Sequence, residues 1–217
     1  MRGETIYVPQ GYGRIRFGRL ERLHIVVAVA VLTFAFTILF YGGARSILSA
    51  VDTSLLAYWV GVSFVIVLTG FLLHELAHKF VAQRYGAWAE FRIFPLGLML
   101  ALLFSLTGFV FAAPGAVYIQ GNINRRQNGL ISLSGPLTNL LLGGGFYGAW
   151  LLIPAGGMLA SVLAWVGIVN LLFAAFNLIP IRPFDGSKIV RWSIGAYAVV
   201  AGAAVLLLLL SFGVIML

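Results

Sequence analysis

Long stretches without Asp, Glu, Lys or Arg recur along this chain: His24–Gly43, Leu55–Leu73, Gly129–Ile153, Leu159–Ile179 and Trp192–Leu217. A hydrocarbon core is about 30 Å thick and is crossed by about 20 apolar residues in helical form. Inside it every backbone polar group needs an internal partner, which a helix supplies. These runs therefore predict an all-α polytopic membrane protein with about five to six transmembrane helices. Composition agrees, since only 9% of the 217 residues are charged, against about 25% in soluble domains. The apolar character leaves no sizeable soluble domain. Met1–Arg22 is polar and basic without an apolar core, so no cleavable signal peptide is expected, and the first apolar helix serves as insertion signal.

The absence of cysteine excludes disulfides, thiolate ligands and cysteine nucleophiles. The net charge of +8 does not call for nucleic acid in such a chain. Basic loops facing anionic headgroups of the bilayer account for it.

One apolar run ends in a cluster of ionisable groups, LLHELAHKF (72–80). Such groups inside a span are expensive and mark function. His74 and His78 are four apart and share one helical face. Two imidazoles at that spacing can hold Zn²⁺. Glu75 projects beside the metal, where it can take a proton from an attacking water. A catalytic zinc site usually has three protein ligands. Outside the motif the candidates are Glu4, Glu21, His24, Asp52, Glu90 and Asp185. Asp52 lies at the far end of the same helix. Glu4, Glu21 and His24 lie in or beside a basic segment and are expected to be solvated. Glu90 is expected near Arg92 at the headgroups. Elimination leaves Asp185, in the Pro-bracketed turn PIRPFDG. The alternative is a turn aspartate paired with Arg182 or Lys188.

Together these residues resemble the site-2 protease family of intramembrane zinc metalloproteases. The family's H-E-x-x-H is matched by His74-Glu75-Leu76-Ala77-His78. Its N-x-x-P-x-x-P-x-D-G is matched by Asn177 through Asp185-Gly186, and its Gly-Pro segment by Ser134-Gly135-Pro136-Leu137-Thr138-Asn139. Ala77 stands where many members have glycine. Neither a PDZ domain nor a nucleotide-sensing tail is expected, and the segment APGAVYIQGN is closest to compact archaeal and bacterial members. The resemblance covers residues 55–190 and implies a zinc metalloendopeptidase that cuts transmembrane protein substrates. It implies His74, His78 and Asp185 as zinc ligands, Glu75 as general base and Asn177 as a donor to the substrate carbonyl or oxyanion. Asn139 and Asn170 read as helix–helix hydrogen bonds, and Gly143–Gly145 and Gly148 as close packing. Rival readings are a zinc transporter, with ligands spread over several depths, and a catalytically idle membrane chaperone.

The organisation expected is a basic N-terminal segment (1–23), a first helix and external loop (24–54), a catalytic core (55–190) and a C-terminal helix (191–217). AWAEFRI and GAVYIQG read as short strands, and either could hold an unwound substrate by strand addition. The second is favoured, because Pro114-Gly115 frees one side of it. Phe94–Ala113 is long enough to span, yet one crossing there would put Asp185 on the opposite face from His78. A membrane-embedded re-entrant or β-hairpin element is therefore expected between the His-Glu helix and the next span. With it, Arg2, Arg14, Arg16, Arg19, Arg22, Lys79, Arg84, Arg92, Arg125, Arg126, Arg182, Lys188 and Arg191 share one side, leaving Arg45 on the other. The positive-inside rule makes that side cytoplasmic. The expectation is a multi-pass cell-membrane protein with its N-terminus and zinc site towards the cytoplasm.

Overall fold

A computed structural model describes residues 15–47, 51–109, 114–154 and 156–215. The expectations for Glu4 and for the segment before residue 15 lie outside the described residues. Helices α1 (Arg19–Tyr41) and α2 (Gly43–Ile47) are followed by α3 (Thr53–Ile66), a π-helical segment (Val67–Leu72) and α4 (Leu73–Arg84). Then come β1 (Trp88–Ile93), α5 (Pro95–Ser105), β2 (Gly115–Gln120), α6 (Arg125–Leu151), α7 (Met158–Asn177), α8 (Gly186–Trp192) and α9 (Ile194–Ile215). Among the described residues four helices are long and apolar enough to cross a membrane: α1, Thr53–Arg84 taken as one, α7 and α9. Helix α6 has 27 residues, about 40 Å at helical rise. It is long enough to be a fifth, but Asn128, Ser132, Ser134, Thr138 and Asn139 make it more polar.

Asp52 starts the second span. Its carboxylate accepts from the Ser54 and Leu55 amides at 2.9 and 3.1 Å, satisfying orphan donors of the first turn. That span is helical throughout, as expected, but the π-helical segment interrupts its register. Leu73 N–H bonds to Leu68 O, five residues back. One inserted residue turns the following helix by roughly 100°, which re-aims the face carrying the histidines. Gly70 allows this close to α7, since a Cβ there would lie 2.6 Å from the Phe173 ring. An apolar run gives no sign of such a turn.

The expected re-entrant element is a hairpin with a helix at its tip. Strands β1 and β2 pair antiparallel from Trp88↔Gln120 to Ile93↔Gly115, so both ends lie at one end of the bundle. Between them α5, with Pro95 at its start, climbs beside α1 until Leu106 O accepts from Ala44 N at 3.0 Å. The 11 residues of α5 cover only about 16 Å, too short to span by themselves.

Helices α6 and α7 run antiparallel in tight contact. A Cβ at Gly143 would lie 2.8 Å from Leu171, and one at Gly167 would lie 3.0 Å from Tyr147 N. The close packing expected for Gly143 is present. A Cβ at Gly144 would lie 3.4 Å from Leu207, while among the described residues nothing lies within 4 Å of one at Gly145 or Gly148. Helix α9 runs parallel to α6 and closes the bundle through Ala204 and Leu207 against Leu140 and Leu171.

Glu21 departs from expectation. It is fully buried, not solvated. Its carboxylate accepts from Lys79 Nζ at 2.7 and 2.9 Å and from Phe91 N at 3.0 Å. Lys79, also fully buried, donates to Ala89 O at 2.7 Å. The pair ties α1, α4 and β1 together. Burial without partners would cost several kcal/mol, so these two charges are held by each other and by the β1 backbone. Glu90 does pair with Arg92, as the sequence suggested.

Candidate metal centre

His74 and His78 lie on the face of α4 that packs against α6. Their outer ring nitrogens meet oxygens of α6. His74 Nδ1 faces Asn139 Oδ1, and His78 Nδ1 lies 2.7 Å from Ile131 O. A carbonyl oxygen can only accept, so each Nδ1 carries the proton. In the neutral ring, the form that binds a metal, each Nε2 then keeps its lone pair. The two Nε2 atoms are 3.0 Å apart.

Asp185 completes the group. Its Oδ2 lies 3.0 Å from His78 Nε2 and 3.5 Å from His74 Nε2. The three ligand atoms all fall within 4.8 Å of one another, and the three residues are buried. Ligands about 2.0–2.1 Å from a tetrahedral zinc stand roughly 3.3 Å apart. The observed separations of 3.0 to 3.5 Å fit that figure. Two nitrogen lone pairs and a carboxylate facing one another repel without a cation between them, so the donor set suits Zn²⁺. Gly135 of α6 leaves the room. A Cβ there would lie 2.4 Å from His78 Nε2 and 2.6 Å from His74 Nε2.

Asp185 reaches this point because the turn after α7 folds tightly back. Gly186 approaches so closely that a Cβ would lie 2.2 Å from Leu178 O, and α8 starts with Lys188 and Ile189 amides on Asp185 O. The alternative partner is present too: Lys188 Nζ is 3.3 Å from Asp185 Oδ1. It uses the other oxygen and leaves Oδ2 to the histidines. Among the described residues this is the one group of three such side chains placed to hold a metal. Ligands at several depths, which a transporter would need, are not seen there.

Glu75 sits beside this group on the hairpin side. Its Oε2 accepts from Val117 N of β2 at 3.1 Å. Asn177 ends α7, and its Nδ2 donates to Phe173 O at 3.0 Å within its own helix. Asn139 and Asn170 do join helices, but not only that: Asn139 also meets His74. The sequence held no sign of this contact beyond a buried amide in the span after the Gly-Pro segment. Gly135 could have been suspected from its place beside Pro136.

The model of peptidase family M50 matches residues 153–217, which include Asp185. A protein of Methanocaldococcus jannaschii described as a zinc metalloprotease is 38% identical over 191 residues, covering 85% of this chain and 91% of its own length. One of Bacillus subtilis, also described as a zinc metalloprotease, is 31% identical over 162 residues, 64% of this chain and 69% of that one. In Mycobacterium tuberculosis a longer relative with the same description is 33% identical over 164 residues, 69% of this chain and 37% of its own length. No solved structure gives a significant match. A histidine pair and an aspartate converging inside an apolar helical bundle, with relatives of that description along most of its length, have one explanation: the chain belongs to peptidase family M50, the site-2 protease family of intramembrane zinc metalloproteases.

Proposed function

We propose that residues 55–190 are the catalytic core, with His74, His78 and Asp185 as the zinc ligands and Glu75 as the general base. The observation that carries this is the convergence of both Nε2 atoms and Asp185 Oδ2 at zinc-ligand separations. Zinc, when bound, polarises a carbonyl and lowers the pKa of a coordinated water to about 7. Glu75 takes the proton of the attacking water and returns it to the leaving amine. Its place between the histidines and β2 suits both transfers. Asn177 donates its second amide hydrogen to the substrate oxygen, the first resting on Phe173 O.

The substrate is a transmembrane segment of another protein, unwound and held as a strand against β2. Hydrogen bonding supports β2 over β1. The outer edge of β1 is engaged: Phe91 N–H by Glu21, and Ala89 O by Lys79 and Gln83. The outer edge of β2 carries one such contact among the described residues, Val117 N–H donating to Glu75, which sets that edge beside the proposed base. Helix-breaking residues in the substrate lower the cost of unwinding. The N-terminus and the zinc site face the cytoplasm. His78 is six residues before Arg84 on one helix, so the site lies about 9 Å from that charge.

The test uses the purified chain in proteoliposomes with a fluorescent single-span substrate. Cleavage that stops with a chelator and returns with Zn²⁺, with product masses inside the apolar segment, supports the reading. Cleavage unaffected by metal removal, or confined to soluble loops, contradicts it.

A further inference from the structure

We propose that Asn139 is the positioning residue of His74, and that Asn170 and the π-helical turn hold Asn139 in the one orientation that serves it. This rests on the reading of His74 as a zinc ligand. Asn139 and Asn170 are both fully buried. Asn139 gives its carbonyl oxygen to His74 Nδ1. Its amide has two hydrogens, and both are used: one on Gly70 O at 2.8 Å, the other on Asn170 Oδ1 at 3.1 Å. Asn170 in turn donates to Thr69 Oγ1 at 2.9 Å and to Val166 O at 2.8 Å.

Every group in this chain is satisfied in one sense only. If the Asn139 amide were flipped, its NH₂ would face the His74 N–H and its oxygen would face Gly70 O and Asn170 Oδ1. Both contacts would then be repulsive, so the network is directional. It forces the His74 proton onto Nδ1 and turns Nε2 towards Asp185. The π turn is part of the device, because Thr69 and Gly70, which receive the two asparagines, both lie in it. Three spans thus meet in one hydrogen-bonded chain: the second through Thr69 and Gly70, then α6 and α7. Outer partners that orient a ligating histidine typically change metal affinity roughly 10–100-fold when removed. His78, by contrast, is oriented by a backbone carbonyl that no side-chain change removes.

The experiment measures the zinc dissociation constant of the full chain in detergent, by competition with a chromophoric chelator at one fixed pH. Circular dichroism and thermal melting of the metal-free protein are recorded beside it. Asn139→Ala is expected to weaken zinc roughly 10–100-fold. Asn170→Ala should have a smaller effect and Thr69→Val the smallest. Asn139→Asp keeps an oxygen for the His74 N–H but loses both amide donors. It is expected to bind zinc more tightly than Asn139→Ala while melting lower than the wild type. Wild-type affinity in Asn139→Ala, or equal losses in Asn139→Ala and Asn139→Asp, overturns the proposal. If Asn139→Ala does not fold, unchanged affinity in both Asn170→Ala and Thr69→Val overturns it. His74→Ala is the control. Should that variant keep zinc at wild-type affinity, the ligand assignment itself fails. If it loses zinc while Asn139→Ala does not, only the positioning role fails.

Discussion

Lys79 Nζ lies 2.7 Å from Glu21 Oε1, and neither side chain is exposed. Lys79 follows His78, a proposed ligand, directly, so the pair fixes α4 against α1 and the first strand. Removing one partner leaves an uncompensated buried charge, which costs about 3–5 kcal/mol. Glu21→Gln and Lys79→Met should each lower the unfolding midpoint in mixed micelles. The double change Glu21→Leu/Lys79→Met should restore part of the loss. Single variants as stable as the wild type would contradict the buried pair.

Gly135 is the α6 position that faces the two Nε2 atoms, with no side chain between. Alanine there places a methyl group 2.4 Å from His78 Nε2. Gly135→Ala is expected to retain helical content and to lose zinc almost completely, read by metal analysis of the purified protein. A full equivalent of zinc in that variant would rule out the metal position proposed.

The start of the second span gives a pH dependence. The Ser54 hydroxyl, then the Leu55 and Ser54 amides, hold the Asp52 carboxyl below its ordinary value of 3.8. A lowered folded pKa means that the ionised form is favoured by folding. The contribution is present above 3.8 and fades as pH falls through the lower folded value. Asp52→Ala should therefore melt below the wild type at neutral pH, with the gap closing under strongly acidic conditions. A gap that stays constant to low pH would remove the charged cap.

The motifs and the spans were legible because both are chemistry written in residue type. Charge-free runs need lipid, and His74, His78 and Asp185 stand out in a chain with so few ionisable groups. The re-entrant hairpin was legible from topology, since a single crossing would separate Asp185 from His78. Three things were not legible. Glu21 sits in a basic segment, and nothing local says that it turns inward to Lys79, which is 58 positions away. The π turn depends on Phe173 and Asn139 packing against Gly70, which are contacts between spans. Asn139 looks like any polar residue in a helix until His74 is placed opposite its oxygen.

The paired ends of the hairpin place Trp88 and Gln120 together, and the cytoplasmic side proposed for them can be tested. The cysteine-free chain allows single exposed cysteines at Thr53, Asn122 and Arg182 to be probed with an impermeant thiol reagent in intact cells. Thr53→Cys alone should label. Asn122→Cys and Arg182→Cys should label only after the membrane is opened. Asn122→Cys labelled together with Thr53→Cys would overturn the topology.

The central claim is that three side chains hold the metal and a fourth, Glu75, moves the proton. It is tested most directly by measuring bound zinc and single-turnover cleavage of one membrane substrate in the same preparations of wild type, Glu75→Gln and Asp185→Asn. Glu75→Gln should keep a full equivalent of zinc and lose cleavage, because the ligand set is untouched. Asp185→Asn should lose zinc and cleavage together, because a neutral amide is a poor ligand. Wild-type cleavage by Glu75→Gln, or full zinc and cleavage in Asp185→Asn, would contradict the account.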